Sequence, residues 1–291
     1  MGASRKVPVD GLDERDVRLR ANSMRRDIID MLERGKSGHP GGSLSATDAI
    51  ATLYFSGIMD YDQNDPDNHD GDHFFLSKGH AGPALYAAFH QLGWLSDEDM
   101  LTFRQVGSKL QGHPDCHACS GIEICSGSLG QGLSVGAGTA LGLRMDGSDK
   151  HVFVLVGDGE MEEGSNWEAL MFAAHKGLGN LTLMLDLNKL QIDGPTDEVC
   201  SLGDIDAKFA AFGWDVQRID GHDITAIYNA LSVAKQATDV PQAIILDTIK
   251  GKGVSYMEGQ VGWHGKAPNA EQAAVARAEI AAERERIEKE A

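Results

Sequence analysis

From residue 150 onward the chain alternates compact apolar runs with helix-patterned stretches, and this alternation leaves few possible architectures. The apolar runs are His151 to Val156, Leu181 to Leu187, Trp214 to Ile219 and Gln242 to Ile249. Helical spacing occupies residues 162–177, 204–212 and 223–237 between them. A strand that is apolar on both faces needs cover on both, and parallel pairing needs a long crossover, which a helix provides. The expected fold is therefore α/β, a parallel sheet with helices on both faces. Such sheets hold ligands beyond the carboxyl ends of their strands. The loops after Val156, Leu187 and Ile249 are thus the expected seat of chemistry.

The first half is less regular. Residues 12–34 read as a helix, with Val17, Met24, Ile28, Met31 and Leu32 on one face. The segment Gly35 to Ser45 is rich in Gly, Ser and Pro and reads as a loop. His73 to Ser77 resembles a short buried strand, and Ala81 to Leu92 a helix. Ser96 is placed to cap a helix that opens with Asp97-Glu98-Asp99. The segment from Asn269 to Ala291, rich in Ala, Glu and Arg, reads as a solvated helix that a partner can cover. On this reading residues 1–268 form one domain and 269–291 a helical tail.

Composition removes several function classes. Acidic residues number 44 against 26 basic ones, for a formal net charge of −18. No basic stripe is present to neutralise nucleic-acid phosphates. No apolar run reaches the ~20 residues of a spanning helix, and Met1 to Asp10 lacks a signal-peptide core. The expected location is the cytoplasm, with no membrane and no nucleic acid as partner. The 35 glycines against 8 prolines suit either tight turns around a ligand or a loop-rich fold. Cys116, Cys119 and Cys125 lie close together near His113 and His117, which raises a zinc site in which Cys125 replaces a second ligand pair. Reduced thiols are the expected state of these three and of Cys200.

Gly157-Asp158-Gly159 follows the run His151–Val156, and Asn188 follows the run Leu181–Leu187. Two oxygen donors, Asp158 and Asn188, thus stand at the ends of consecutive strands. Magnesium prefers a few protein oxygens together with phosphate oxygens. The two glycines allow the backbone to approach a diphosphate, and the following helix turns its amide end toward that charge.

The pattern Gly157-Asp158-Gly159…Asn188 resembles the thiamine-diphosphate motif shared by transketolases, pyruvate decarboxylases and related enzymes. The resemblance implies that Asp158, Asn188 and the main-chain oxygen of Leu190 hold magnesium, or another divalent cation such as calcium or manganese. Further segments look like transketolase motifs in that family's order. These are Ser37-Gly-His39-Pro-Gly41, Lys78-Gly-His80-Ala81, Gly112-His113-Pro114, the glycine loop Gly127-Ser-Leu129-Gly-Gln-Gly132 and Trp263-His264-Gly265. Sugar chemistry explains the histidines, since imidazole both donates and accepts protons near neutral pH. By resemblance, His39 and His264 handle protons of the acceptor and His113 bonds the donor's hydroxyl. His80 and His264 lie near the diphosphate, and Leu129 supports the aminopyrimidine ring. Glu163 matches a glutamate at the subunit contact, with a solvated carboxylate as the alternative.

Two departures stand out. Ser128 replaces a proline frequent in the family. More importantly, full-length transketolases continue beyond this point with the glutamate that activates the pyrimidine ring and the residues that grip a sugar phosphate. Either the chain is a fragment or it is one half of a naturally split enzyme, and the charged helical end, which reads as a finished edge, favours the second. The expectation is therefore the N-terminal subunit of a split transketolase, working on a ketose or ketose phosphate donor and an aldose acceptor. A separate C-terminal, pyrimidine-binding subunit completes a two-plus-two heterotetramer. Two rivals are the alpha subunit of a 2-oxoacid dehydrogenase and a non-catalytic regulatory homologue.

Overall fold

Residues 11–67 and 70–290 are described by the computed structural model, so the reading of Met1–Asp10 and the last residue of the tail lie outside the described residues. Five strands form one parallel sheet in the order β1-β2-β3-β5-β4. They are β1 His73–Leu76, β2 Val152–Gly157, β3 Leu181–Leu187, β4 Asp215–Asp220 and β5 Gln242–Asp247. Every residue of β2 and β3 is buried, which is why these strands appear in the sequence as unbroken apolar runs. Successive side chains point to opposite faces. Phe153, Leu155, Met184, Ile244 and Leu246 enter one core, while Val154, Val156, Leu183, Leu185 and Ile245 enter the other.

Helices α1 Glu14–Gly35, α2 Pro40–Phe55, α3 Gly82–Leu92, α9 Ile224–Ala234 and α10 Ala270–Lys289 supply residues to the first core. Helices α5 Gly132–Met145, α6 Gly164–Lys176 and α8 Ile205–Ala211 supply the second. Short helices α4 Asp97–Met100 and α7 Thr196–Val199 complete the set among the described residues. Ser96 and Asp99 do form the expected capping box on α4. The edge strand β4 departs from the expected apolar run: only its flank Trp214 is buried, and Arg218 of β4 pairs with Asp247 and Asp206. Charges on an exposed edge discourage pairing with another chain.

The expected loop from Gly35 to Ser45 is overturned in its second half, because α2 begins at Pro40. Proline at the first helical position needs no amide partner there and presets the backbone. Gly41 and Gly42 remain in the helix for lack of space. A Cβ at Gly41 would sit 2.9 Å from Lys250 Cγ and 3.0 Å from the Trp263 carbonyl oxygen, and one at Gly42 would sit 3.0 Å from His80 Nε2. The helical propensity cost of two glycines is accepted here in return for bringing α2 against the ligand-side loops.

Helix α5 has no clear period in the sequence because, apart from Leu133, its buried face is made of glycine and alanine. A Cβ at Gly132 would lie 2.4 Å from Ser77 Cβ and 2.9 Å from its Cα. Gly132→Ala is expected to lower stability by about 1–3 kcal/mol through overpacking. Urea unfolding should show a lower midpoint with an unchanged slope.

The terminal helix docks on α1 rather than standing free. Ala273, Ala276, Ile280 and Ile287 are buried, Arg277 pairs with Asp30 and Glu33, and Asn22 donates to the Ile280 carbonyl at 3.0 Å. Its apolar stripe is taken up within the chain.

Candidate functional site

The sheet order makes β2, β3 and β5 neighbours, so their following loops meet at one end. Gly157 of β2 stands level with Asp186 of β3, and Asp186 with Leu246 of β5. A cavity of about 250 Å³ opens there. It is bordered by His39, His80, His113, His264, Gly127, Leu129, Gly157, Asp158, Gly159, Asn188 and Leu190. Residues from loops far apart in sequence are thus gathered around one space. Glu163 is not among them. It is exposed at the N-cap of α6, packed so closely on Gly130 that a Cβ there would lie 2.6 Å from its own.

Asp158 is 3% exposed at the end of β2. One carboxylate oxygen accepts from the Gly159 amide at 2.8 Å and the other from the Lys189 amide at 2.5 Å. Burial, reinforced by the nearby Asp186 carboxylate, pushes its pKa up to about 6 despite these bonds. Lys189 adopts a left-handed φ of 63°, which turns the chain after β3, and Asn188 Oδ1 accepts from the Leu190 amide at 3.1 Å. The Leu190 carbonyl oxygen accepts from Lys250 Nζ at 2.8 Å, so a positive charge already sits against it. A buried carboxylate held at raised pKa, an amide oxygen and a carbonyl oxygen form a hard, all-oxygen donor set. That chemistry fits a divalent cation such as magnesium.

The histidines form a cluster with His39 at its centre. Ring centroids lie 5.4 Å from His39 to His80, 6.0 Å to His113 and 5.5 Å to His264, with His80 and His264 5.3 Å apart. Burial followed by the charges of Arg104, His113 and Lys250 lowers His39 to about 4. Burial, then Lys250, His39 and Lys78, lowers His264 to about 3. Burial also lowers His80, with Lys78 next, and lowers His113, with Arg104 next. All four are therefore neutral at pH 7, each with one nitrogen able to donate and one able to accept. His39 Nδ1 is buried without a hydrogen-bond partner, an orphan atom suited to a ligand.

Four charged residues of the site carry no role in the sequence reading. Lys78 and Asp186 form an ion pair that is 1% and 0% exposed. Glu160 accepts from Ser77 Oγ, from the Gly130 amide at 2.9 Å and from the Gly157 amide at 3.1 Å, which ties the glycine loop to β1 and β2. Lys250 reaches His264 Nδ1 at 2.8 Å, and burial together with Lys78 lowers it to about 8. Signals for two of them were present: Lys78 stands within the His80 loop, and Asp186 is an acid inside an apolar run.

Comparison with known proteins gives these features a family. The family described as transketolase, thiamine diphosphate binding domain, matches residues 17–288. A 6-deoxy-6-sulfo-D-fructose transketolase subunit of Clostridium sp. (strain MSTE9) is 42% identical over 249 residues, which are 86% of this chain and 90% of that protein. An apulose-4-phosphate transketolase subunit of Phocaeicola vulgatus is 40% identical over 272 residues, 94% of this chain and 96% of that protein. The solved transketolase of Campylobacter jejuni superposes with a TM-score of 0.86 at 32% identity, over 93% of this chain and 45% of that one. The chain thus spans less than half the length of that transketolase and of the one from Pichia stipitis, where the share is 44%. A match along nearly its whole described length, shared by proteins of its own size and by part of larger ones, establishes that this chain belongs to the transketolase family through its thiamine diphosphate binding domain.

Proposed function

We propose that this chain is the cofactor-binding subunit of a two-chain transketolase. It would transfer a two-carbon ketol unit from a ketose or ketose phosphate donor to an aldose acceptor. The observation that carries this reading is the convergence of four neutral histidines and three oxygen donors on one cavity. A 2-oxoacid offers no run of hydroxyls to four such imidazoles. All these groups are intact, which speaks against a regulatory homologue.

Asp158, Asn188 and the Leu190 carbonyl would hold the divalent cation, and the backbone at Gly157 and Gly159 would let the diphosphate approach. Thiamine diphosphate, when bound, supplies the electron sink that carbon–carbon cleavage beside a carbonyl requires. The protein's own work is to position sugar and move protons. His39 and His264, held neutral by burial, can take a proton from a sugar hydroxyl and return it. His113 would bond a donor hydroxyl and Leu129 would support a ring by apolar contact, a reading supported by their both lining the cavity. Val135 on α5 and Met171 and Phe172 on α6 are exposed apolar side chains. Two relatives of this chain's own size are themselves transketolase subunits. Both observations support a partner chain that supplies the pyrimidine-binding half, in a two-plus-two assembly in the cytoplasm.

The test is a native pull-down with this chain as bait, followed by a ketol-transfer assay with thiamine diphosphate and magnesium. Activity confined to a complex with a second chain supports the reading. Turnover of sugars by the chain alone would end the two-chain account, and use of pyruvate as donor would favour the 2-oxoacid class. In the active complex, His39→Ala should lower kcat by about 10²–10⁴-fold while cofactor affinity stays nearly unchanged.

A further inference from the structure

The cysteine cluster is the one motif the proposed function leaves unused. The structure divides it. Cys119 is 3% exposed in the first core, with its thiol donating to the Ser120 carbonyl at 3.5 Å. Cys116 and Cys125 instead meet at the surface, with sulfurs 2.9 Å apart. Cys125 Sγ donates to Asp115 Oδ1 at 3.2 Å, and the Cys116 amide donates to Cys125 Sγ at 3.3 Å. The His117 amide donates to Asp115 Oδ1 at 2.9 Å, which folds this short segment back on itself. One ligand atom from each of Asp115, Cys116, His117 and Cys125 lies within 4.8 Å of the others.

We propose that Asp115, Cys116, His117 and Cys125 form a surface binding site for zinc or a similarly soft divalent metal, separate from the all-oxygen magnesium site. The donor set is two sulfurs, one imidazole nitrogen and one carboxylate oxygen. Four ligands of these types match tetrahedral zinc. Sulfur donors discriminate against magnesium and calcium, which seek oxygen, so abundant magnesium does not compete. This set differs from the one that cysteine spacing suggests, because Cys119 is withdrawn into the core and Asp115 and His117 take its place.

The location gives the site a consequence. Asp115 to His117 continue the loop of His113, and Cys125 begins the loop of Gly127 and Leu129. A backbone hydrogen bond joins the two loops at this point, from the Ser126 amide to the Pro114 carbonyl at 3.1 Å. A metal bound across Cys116 and Cys125 would cross-link two segments that both border the cavity. It would fix how far His113 stands from the glycine loop.

The test is a titration of the reduced, metal-free chain with Co²⁺ in excess Mg²⁺ and without thiamine diphosphate. A near-ultraviolet thiolate-to-cobalt charge-transfer band should grow to saturation at about one equivalent and vanish on adding Zn²⁺. Cys116→Ser combined with Cys125→Ser should eliminate it. Cys200→Ser, an exposed cysteine outside the cluster, should leave it intact, and His117→Ala should weaken affinity by at least about tenfold. Zn²⁺ should also slow amide exchange across residues 112–127 in the wild type and not in the double variant. A fully reduced chain that develops no band would overturn the proposal. So would a band that survives the double substitution, or a Cys116–Cys125 pair that oxidises in air yet binds no metal when reduced.

Discussion

Asp158→Asn is expected to leave a folded chain that no longer takes up thiamine diphosphate with a divalent cation, and whose apo stability no longer declines as pH rises through 6. The two effects have one origin. Asp158 is buried, and its pKa is raised from 3.8 to about 6. Between those values the native state holds a proton that the unfolded chain has released. The stability this proton confers is fully present below pH 3.8 and is lost as pH rises through 6. Above pH 6 the ionised carboxylate therefore costs the apo protein on the order of 2–3 kcal/mol. A neutral amide removes this pH dependence, although its NH2 then faces one of the two backbone amides from which the carboxylate accepts. A bound cation reverses the balance by neutralising the carboxylate. Removing the proposed charged ligand should weaken metal-dependent cofactor binding by more than about 100-fold, beyond what loss of an outer-shell partner costs. Wild-type metal affinity should itself fall about tenfold per unit as pH drops below 6, because a proton then competes for the same oxygen. Thermal melting of the two apo proteins across pH 4–8, with calorimetric metal titration at each pH, reads both signs. Tight cofactor binding by the Asn variant would remove Asp158 from the metal site.

Lys78→Met should be among the most destabilising single changes in this chain, at about 3–5 kcal/mol. The Lys78–Asp186 pair is closed from solvent, and Asp186 also accepts from Ser45 Oγ at 2.6 Å and from Thr248 Oγ1. Burial alone would raise Asp186, but the charge and hydrogen bond of Lys78, with the two hydroxyls, hold it below the usual carboxylate range. Its stabilising contribution is therefore present above the unfolded carboxylate pKa and is lost only in acid. Without Lys78 an uncompensated anion remains in the core beside Asp158, and apo stability should then fall as pH rises from 5 to 8. Adding Asp186→Asn removes that anion and should recover more than half of the loss, because an amide oxygen still accepts from a hydroxyl. Chemical denaturation of the two single variants and the double variant measures this coupling. Independent, additive effects would show that the pair does not act as a unit.

Local pattern fixed much of this before any tertiary contact was known. The runs that became β2 and β3 are buried at every position, so their apolar character needed no neighbour to be recognised. Gly157-Asp158-Gly159 and Asn188 followed those runs directly, and adjacent parallel strands carried them to the same edge. What local pattern could not supply was anything set by close approach. Helix α2 hid behind Gly41 and Gly42, whose value is the space they leave for Lys250 and His80. The edge strand β4 read as apolar because Trp214 and Val216 do pack inward, while most of its other positions face solvent or salt bridges.

The sequence by itself determined the α/β class and the parallel sheet, because periodicity is written along the chain, and its likeness to a known family named the histidines and oxygen donors now proposed for the site. Tertiary structure alone decided which of these groups meet. The strand order β1-β2-β3-β5-β4 brought Lys250 to Leu190 and Lys78 to Asp186, and burial set their charges. Cys119 lies inward and Cys125 outward, a difference that carries no mark in cysteine spacing.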